Sequence, residues 1–186
     1  IWRQISAALE WLRDAGDDYG HGFVAYRGHN QAGGLLNQGW KDSEDAVFHA
    51  DGRLAEGPIA LVEVQGYVHA AWRAAAGLAR VRGDLALALD CEERAERVRD
   101  RFEAMFWCED IGTYAIALDG EHRSCRVRSS NPGHLLFSGL PSATRAAHVA
   151  ASMFNRTLFS GWGIRTLDEA EVRYNPASYH NGSVWP

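Results

Sequence analysis

The tightest constraint on the fold is the join at Arg82-Gly83-Asp84. Upstream of it, from Gly57-Pro58, apolar side chains recur at Leu61, Tyr67, Ala70, Ala71, Ala74, Ala75 and Leu78. Downstream they recur at Leu85, Leu89, Val98, Phe102 and Met105, with Glu92 to Arg101 mostly facing outward. Both spacings are helical. Pro58 suits a first helical position, and Asp84 suits the cap of the second helix. With almost no loop between them, the two helices form an antiparallel hairpin. The alanine-rich face permits close helix–helix approach.

The same logic extends along the chain. Ile1, Ile5, Ala8, Leu9 and Leu12 mark a helix over residues 1–15, with Gly16 as its stop. Tyr114 to Leu118 and Cys125 to Arg128 predict a small β-hairpin with Asp119-Gly120 at its turn. Ser130-Asn131-Pro132 is a helix-start signal, with Asn131 read as the cap. It opens a second helical hairpin, 132–138 and 141–154. Residues 156–186 have no period, yet they carry two tryptophans and two tyrosines, which is the composition of an ordered functional loop system. Trp72 and Trp107 are assigned to helices as core.

Composition narrows the function classes. Hydrophobic content of 46% and charged content of 23% are globular, and the formal net charge of -5 argues against a nucleic-acid partner. Cys91, Cys108 and Cys125 match no metal spacing, so no metal ligands are assigned; a sparse, odd count suits a reducing, cytoplasmic setting. No apolar run approaches the roughly 18 residues that a membrane span requires. The helical start at Ile1-Trp2 and the abrupt end at Trp185-Pro186 lead us to expect part of a longer protein.

The chemistry concentrates in Asn37-Gln38-Gly39-Trp40-Lys41-Asp42-Ser43, followed by Glu44 and Asp45. No amphipathic period runs through it, so it is a loop, the usual carrier of catalytic groups on a rigid scaffold. Taken alone it reads as a solvated polar turn. Four stretches in order add weight: 34–43; Pro58 to Tyr67; Ser129-Ser130-Asn131-Pro132-Gly133-His134; and a tail with Gly161-Trp162-Gly163-Ile164-Arg165-Thr166, Tyr174-Asn175-Pro176 and 179–186. Together they resemble the amylo-α-1,6-glucosidase (glycogen-debranching-like) family of glycoside hydrolases.

That resemblance implies an all-α fold, a six-hairpin α/α toroid, here incomplete, with a small β-hairpin and long loops, and residues 1–186 as one partial domain. It implies inverting hydrolysis of glucosidic bonds in oligosaccharides without metal or organic cofactor. The partners implied are the oligosaccharide and the remainder of the toroid, with no nucleic acid or membrane. Trp40 and Asp42 resemble the place where related toroid glycosidases carry their general acid. The base carboxylate is expected beyond Pro186.

Inverting hydrolysis needs a protonated carboxyl at the leaving oxygen and a carboxylate activating water on the opposite face. Asp42 is assigned as the acid, its proton retained by burial against Trp40, with Lys41 pointing elsewhere. The alternative for Asp42 is a turn-stabilising aspartate, and Glu44 and Asp45 are expected at the surface. Glu63 and Tyr67 share a helical face, as the i,i+4 spacing requires. Glu63 either meets a sugar hydroxyl or pairs with a nearby arginine such as Arg165. Gln65 lies on another side of that helix. Trp40, Glu63, Gln65, Tyr67, Arg165, Tyr179, His180 and Trp185 complete the expected substrate-binding set. Trp162 is a further flat face for a pyranose, and His134 lines the mouth or sits satisfied in the core. Asp42, Glu63 and residues 174–185 are expected to converge on one concave side. The rival readings are a toroid glycoside phosphorylase, which needs clustered cations for phosphate; a sugar epimerase using His134 and His180; and a carbohydrate-binding fragment without chemistry.

Overall fold

A computed structural model describes residues 1–28 and 34–184. The order is α1 (Trp2–Tyr19), β1 (Ala60–Leu61), α2 (Val62–Val81), α3 (Leu85–Met105), β2 (Trp107–Cys108), β3 (Thr113–Tyr114), β4 (Ala117–Leu118), β5 (Ser124–Cys125), a 3-10 turn (Asn131–His134), α4 (Leu135–Ser138) and α5 (Ala143–Met153). The molecule is mostly helical with small antiparallel sheets, and long irregular segments carry the rest. Among the described residues no helix is long and apolar enough to cross a membrane.

The α2–α3 hairpin is the frame. Gly83, at φ 78, makes the reversal, and Asp84 Oδ1 accepts the Leu87 N–H at 3.0 Å as the N-cap. The buried stripe of α3 is Ala88, Cys91, Ala95, Val98 and Phe102, and that of α2 runs through Val62, Gly66, Val68, Trp72, Ala75, Ala76 and Ala79. These stripes differ from the expected ones. Leu85 and Leu89 are exposed on α3, and Tyr67, Ala74 and Leu78 on α2. An alanine-rich helix has little side-chain size difference between neighbouring faces, so Trp72 decides which face turns inward.

Other boundaries moved for identifiable reasons. Helix α1 continues through Gly16, which is buried against the Gly22 backbone. Helix α2 starts at Val62 rather than Pro58. The Gly57–Pro58 peptide is cis, and the residues after it are extended: Ile59 bridges Tyr26, and β1 pairs with β4. Trp107 lies on a strand, not a helix, and strand Thr113–Tyr114 pairs with β2 rather than joining the hairpin. The β4–β5 hairpin exists, but its turn is the wider loop 119–123. Asp119 closes that loop with a buried carboxylate that accepts the Glu121 and Arg123 N–H groups at 2.9 Å each and Arg123 Nε at 2.8 Å.

Two cores result. The larger holds Phe23, Trp72, Phe102, Phe106, Tyr114, Leu135 and Leu158; the smaller lies across the sheet, with Phe48, Ile59, Leu61, Ile116, Val127 and Leu167. All three cysteines are free and buried. Gly120 passes so close to the 57–58 segment that a Cβ there meets the Gly57 carbonyl oxygen at 2.5 Å. Gly120→Ala is therefore expected to destabilise the fold by about 1–3 kcal/mol, as other overpacking changes do. Gly77 is exposed within α2 with nothing near its Cβ position, so Gly77→Ala is expected to stabilise by about 0.5–1 kcal/mol. Denaturant midpoints on both variants check the pair.

Candidate functional site

The loop 37–43 is fixed at both ends by side chains. Tyr26 donates its hydroxyl to Asn37 Oδ1 at 2.7 Å, and Asn37 Nδ2 donates to the Ser43 carbonyl at 2.7 Å, closing the loop on itself. Gly39 presses onto the start of α2, where a Cβ would meet Leu61 Cδ1 at 2.4 Å and Glu63 Oε1 at 3.5 Å. Only glycine lets the loop come this near to Glu63.

Beyond Gly39 the chain sends three consecutive side chains in different directions. Trp40 is wedged between two imidazoles, its ring centroid 5.8 Å from His134 in a stacked arrangement and 5.7 Å from His180 edge-on. Tyr67 follows, with its hydroxyl 2.7 Å from His134 Nδ1, and Phe137 stacks on Tyr67 at 5.9 Å. Tyr179 lies against His180 on the other side at 4.5 Å. Phe137, Tyr67, His134, Trp40, His180 and Tyr179 thus form one continuous aromatic wall. Phe137 was not expected there; its sequence signal is only its position on the short helix after His134.

Lys41 turns inward while Asp42 is half-exposed, so the two point in different directions as expected. The Lys41 side chain is buried, Nζ donates to the Thr166 carbonyl at 2.5 Å, and it lies 5.2 Å from the Trp40 ring centroid. Burial pushes the Lys41 ammonium down to about 7, and the Glu63 carboxylate opposes that shift. Glu63 is itself buried, and both its oxygens accept from Asn131 Nδ2 at 3.1 Å. Burial raises the Glu63 carboxyl above the usual range, while the Asn131 hydrogen bond and, more weakly, the Lys41 charge act the other way. Glu63 is thus held by Asn131 and lies within the electrostatic reach of Lys41, while Arg165 is held by Glu169 and Tyr174. Asn131 is no helix cap: its amide is spent on Glu63, and its backbone N–H donates to Ser129 Oγ at 3.3 Å.

Asp42 is half-exposed at the end of the wall, not buried against Trp40; its Oδ1 is 3.7 Å from His180 Nδ1. That contact is not an ion pair. The Ser43 backbone N–H donates to the same Nδ1 at 3.3 Å, and Ser43 Oγ is 2.7 Å from it, so the nitrogen is an acceptor. Burial also pushes His180 below its ordinary range, outweighing the opposing pull of Asp42. His134 is likewise lowered, by burial and then by Lys41. Both shifts favour the neutral imidazole.

The other expected residues divide clearly. Glu63 and His180 meet the loop, and Tyr67 and Tyr179 join the wall through His134 and His180. Gln65 does neither: its amide is fully buried and satisfied by Val24 N–H, Val24 C=O and Leu61 C=O, pinning the 23–26 segment to α2. Arg165 directs its guanidinium to Glu169 at 2.5 Å and to the Tyr174 hydroxyl at 3.3 Å, away from the wall. Trp162 is almost fully exposed, and Trp185 lies outside the described residues. Glu44 is exposed, as expected, whereas Asp45 is part-buried. Among the described residues no group of three His, Cys, Asp or Glu side chains is placed to hold a metal ion.

Two clefts flank the loop. One of about 380 Å³ is lined by Arg27, Asn37, Glu44, Leu54 and Ile59, and one of about 520 Å³ by Trp11, Tyr19, Tyr26, Gln38 and Val64. Neither contains Asp42 or the aromatic wall. The wall is an open surface in this chain, so we take the convergence of polar and aromatic groups, not concavity, as the mark of the site.

Known proteins resemble this fold. A chain described as "Sialidase" superposes with a TM-score of 0.67 at 17% identity, over 96% of this chain and 16% of that one. A GH63 mannosylglycerate hydrolase from Thermus thermophilus, in complex with glucose, superposes at TM-score 0.55 and 23% identity, over 68% of this chain and 32% of that one. The same enzyme in complex with Tris and D-glycerate gives a TM-score of 0.55 at 23% identity, covering 68% and 30%. The chain thus spans between about a sixth and a third of the length of these structures. No curated protein matches it. The family described as the mannosylglycerate hydrolase MGH1-like glycoside hydrolase domain matches residues 1–186. The resemblance to amylo-α-1,6-glucosidases thus holds at the level of a glycoside hydrolase. On a match over its entire length, the chain belongs to the MGH1-like glycoside hydrolase family.

Proposed function

We propose that this domain carries the acid side of an inverting glycosidase site in an α/α toroid, with Asp42 protonating the departing glycosidic oxygen. The observation that supports it best is the half-exposed Asp42 carboxylate at the end of an aromatic wall, on a loop braced from both sides. Apolar C–H faces of a pyranose ring stack on such rings, and a carboxyl beside them reaches the glycosidic oxygen. The partner base lies in the remainder of the protein, since this chain spans only part of the length of the structures it matches.

The substrate we favour is a neutral α-linked gluco-oligosaccharide, as in amylo-α-1,6-glucosidases. Lys41, the cation of the loop, is committed to the Thr166 carbonyl, which argues against an anion-binding role for it; Arg165 is held by Glu169 and Tyr174, with its Nη1 buried and unpartnered. The commitment of Lys41 disfavours a phosphorylase. A second reading, an α-hexoside of a small hydroxy acid, is favoured by the family and by the D-glycerate bound to the Thermus thermophilus enzyme.

A substrate panel on the intact protein separates these readings. α-1,6- and α-1,4-linked gluco-oligosaccharides and mannosylglycerate are each incubated, and the first-formed anomer is followed by proton NMR. Release of the β-anomer from an α-linked oligosaccharide is the expected result. Preferential cleavage of mannosylglycerate favours the second reading, and retention of configuration overturns the inverting mechanism.

A further inference from the structure

The charged groups behind the wall have no role in the reading above, although their arrangement is specific. Three loops meet at the Thr166 carbonyl. It accepts Lys41 Nζ at 2.5 Å and the Ser130 N–H at 3.3 Å, while the Thr166 N–H donates to the Ser183 carbonyl at 2.9 Å and Thr166 Oγ1 accepts the Gly182 N–H at 2.9 Å. One residue thus joins the loop 37–43, the 129–131 segment and the tail that carries His180. On the α2 side, Glu63 holds Asn131 through both oxygens and abuts Gly39. Lys41 is adjacent to Asp42 in sequence and is the loop's charged tie to this junction.

We propose that Lys41 is a positioning residue for Asp42: its buried amine, bonded to the Thr166 carbonyl, fixes the direction in which the loop presents the Asp42 carboxyl. The inference rests on the reading of Asp42 as the acid. Its physical basis is that a buried amine tolerates little displacement, because leaving it without its hydrogen-bond partner is costly. A loop tied by such a group is held more rigidly than one tied by solvated contacts. A shift of about 1 Å in a catalytic group is enough to cost on the order of 10²-fold in rate. The groups facing Lys41 are Glu63 from α2, His134 from the 3-10 turn and His180 from the tail.

The test uses Lys41→Met, Glu63→Gln and the double variant in the intact protein. Methionine keeps the length and apolar stem of lysine and removes the ammonium. Lys41→Met alone removes the buried donor to the Thr166 carbonyl and the nearby cationic field on Glu63, and is expected to lower the melting temperature. Neutralising Glu63 in the double variant should restore much of that loss. If Lys41 positions Asp42, the double variant still shows kcat reduced about 10- to 100-fold on a glycoside with a poor leaving group, with KM nearly unchanged. The loss is smaller on a glycosyl fluoride, which needs little protonation. Wild-type kcat in a folded double variant overturns the proposal and leaves Lys41 as a neutralising partner for Glu63. A rise in KM with kcat unchanged also overturns it. Asp42→Asn, run alongside, tests the underlying reading separately: full activity there sinks the acid assignment, whatever the Lys41 variants do.

Discussion

Asp42→Asn is expected to reduce turnover of glycosides with poor leaving groups by at least ~10²-fold, the low end for general acid catalysis. Asparagine nearly preserves the shape of the side chain but has no acidic proton to give. A glycosyl fluoride departs with little protonation, so its hydrolysis should fall far less. The asymmetry between the two substrates carries the assignment, because a distorted loop would slow both. The side chain is half-exposed and forms no ion pair with His180, so removing its charge should change stability by less than about 0.5 kcal/mol. An equal loss on both substrates, accompanied by a lower melting temperature, would falsify the role of Asp42 as acid.

The largest stability effect is expected at Phe102. This ring is fully buried at the centre of an aromatic cluster, 4.6 Å from Phe106 and 4.8 Å from Tyr114, and Phe106 in turn lies 5.4 Å from Phe23. Helix α3, strand β3 and the segment after α1 all close on it. Truncation to alanine removes the transfer energy of the ring and leaves a cavity that three separate elements must collapse to fill. The expected cost of Phe102→Ala is about 3–5 kcal/mol, measured as a shift in denaturant midpoint at constant slope. Trp162→Ala is the contrast. Its side chain is 96% exposed, so stability should change by no more than about 0.5 kcal/mol. Any loss of oligosaccharide affinity in that variant therefore reports on stacking and not on folding. A Phe102→Ala protein as stable as wild type would mean that the cluster is not the centre of the core.

Much of this protein was legible from local signals. The reversal at Gly83-Asp84, the cap on Leu87, the helices around 132–138 and 141–154 and the aperiodic tail all follow from short-range rules, and the structure has them. Period alone could not say which side of α2 is buried. Alanine and glycine lie on several of its faces, and the choice fell to Trp72 and to the close approach of Gly66 to Leu135. The start of that helix was lost for a related reason. Pro58 fits a first helical turn, but the pairing of Tyr26 with Ile59 and of β1 with β4 draws residues 59–61 into extended backbone, a long-range demand that no local motif expresses.

The site divides in the same way. The residue types in the loop 37–43 and the aromatic tail marked where chemistry was concentrated, and the burial of Glu63 in an apolar helix required a partner. Which partner was a tertiary decision. Asn131, which reads locally as a cap, turns inward to Glu63, and Lys41 turns inward to the Thr166 carbonyl, whereas Arg165 is held by Glu169 and Tyr174. A sequence lists the charges that need neutralising. Only the fold brings particular ones close enough, in a medium dry enough, for the pairing to be fixed.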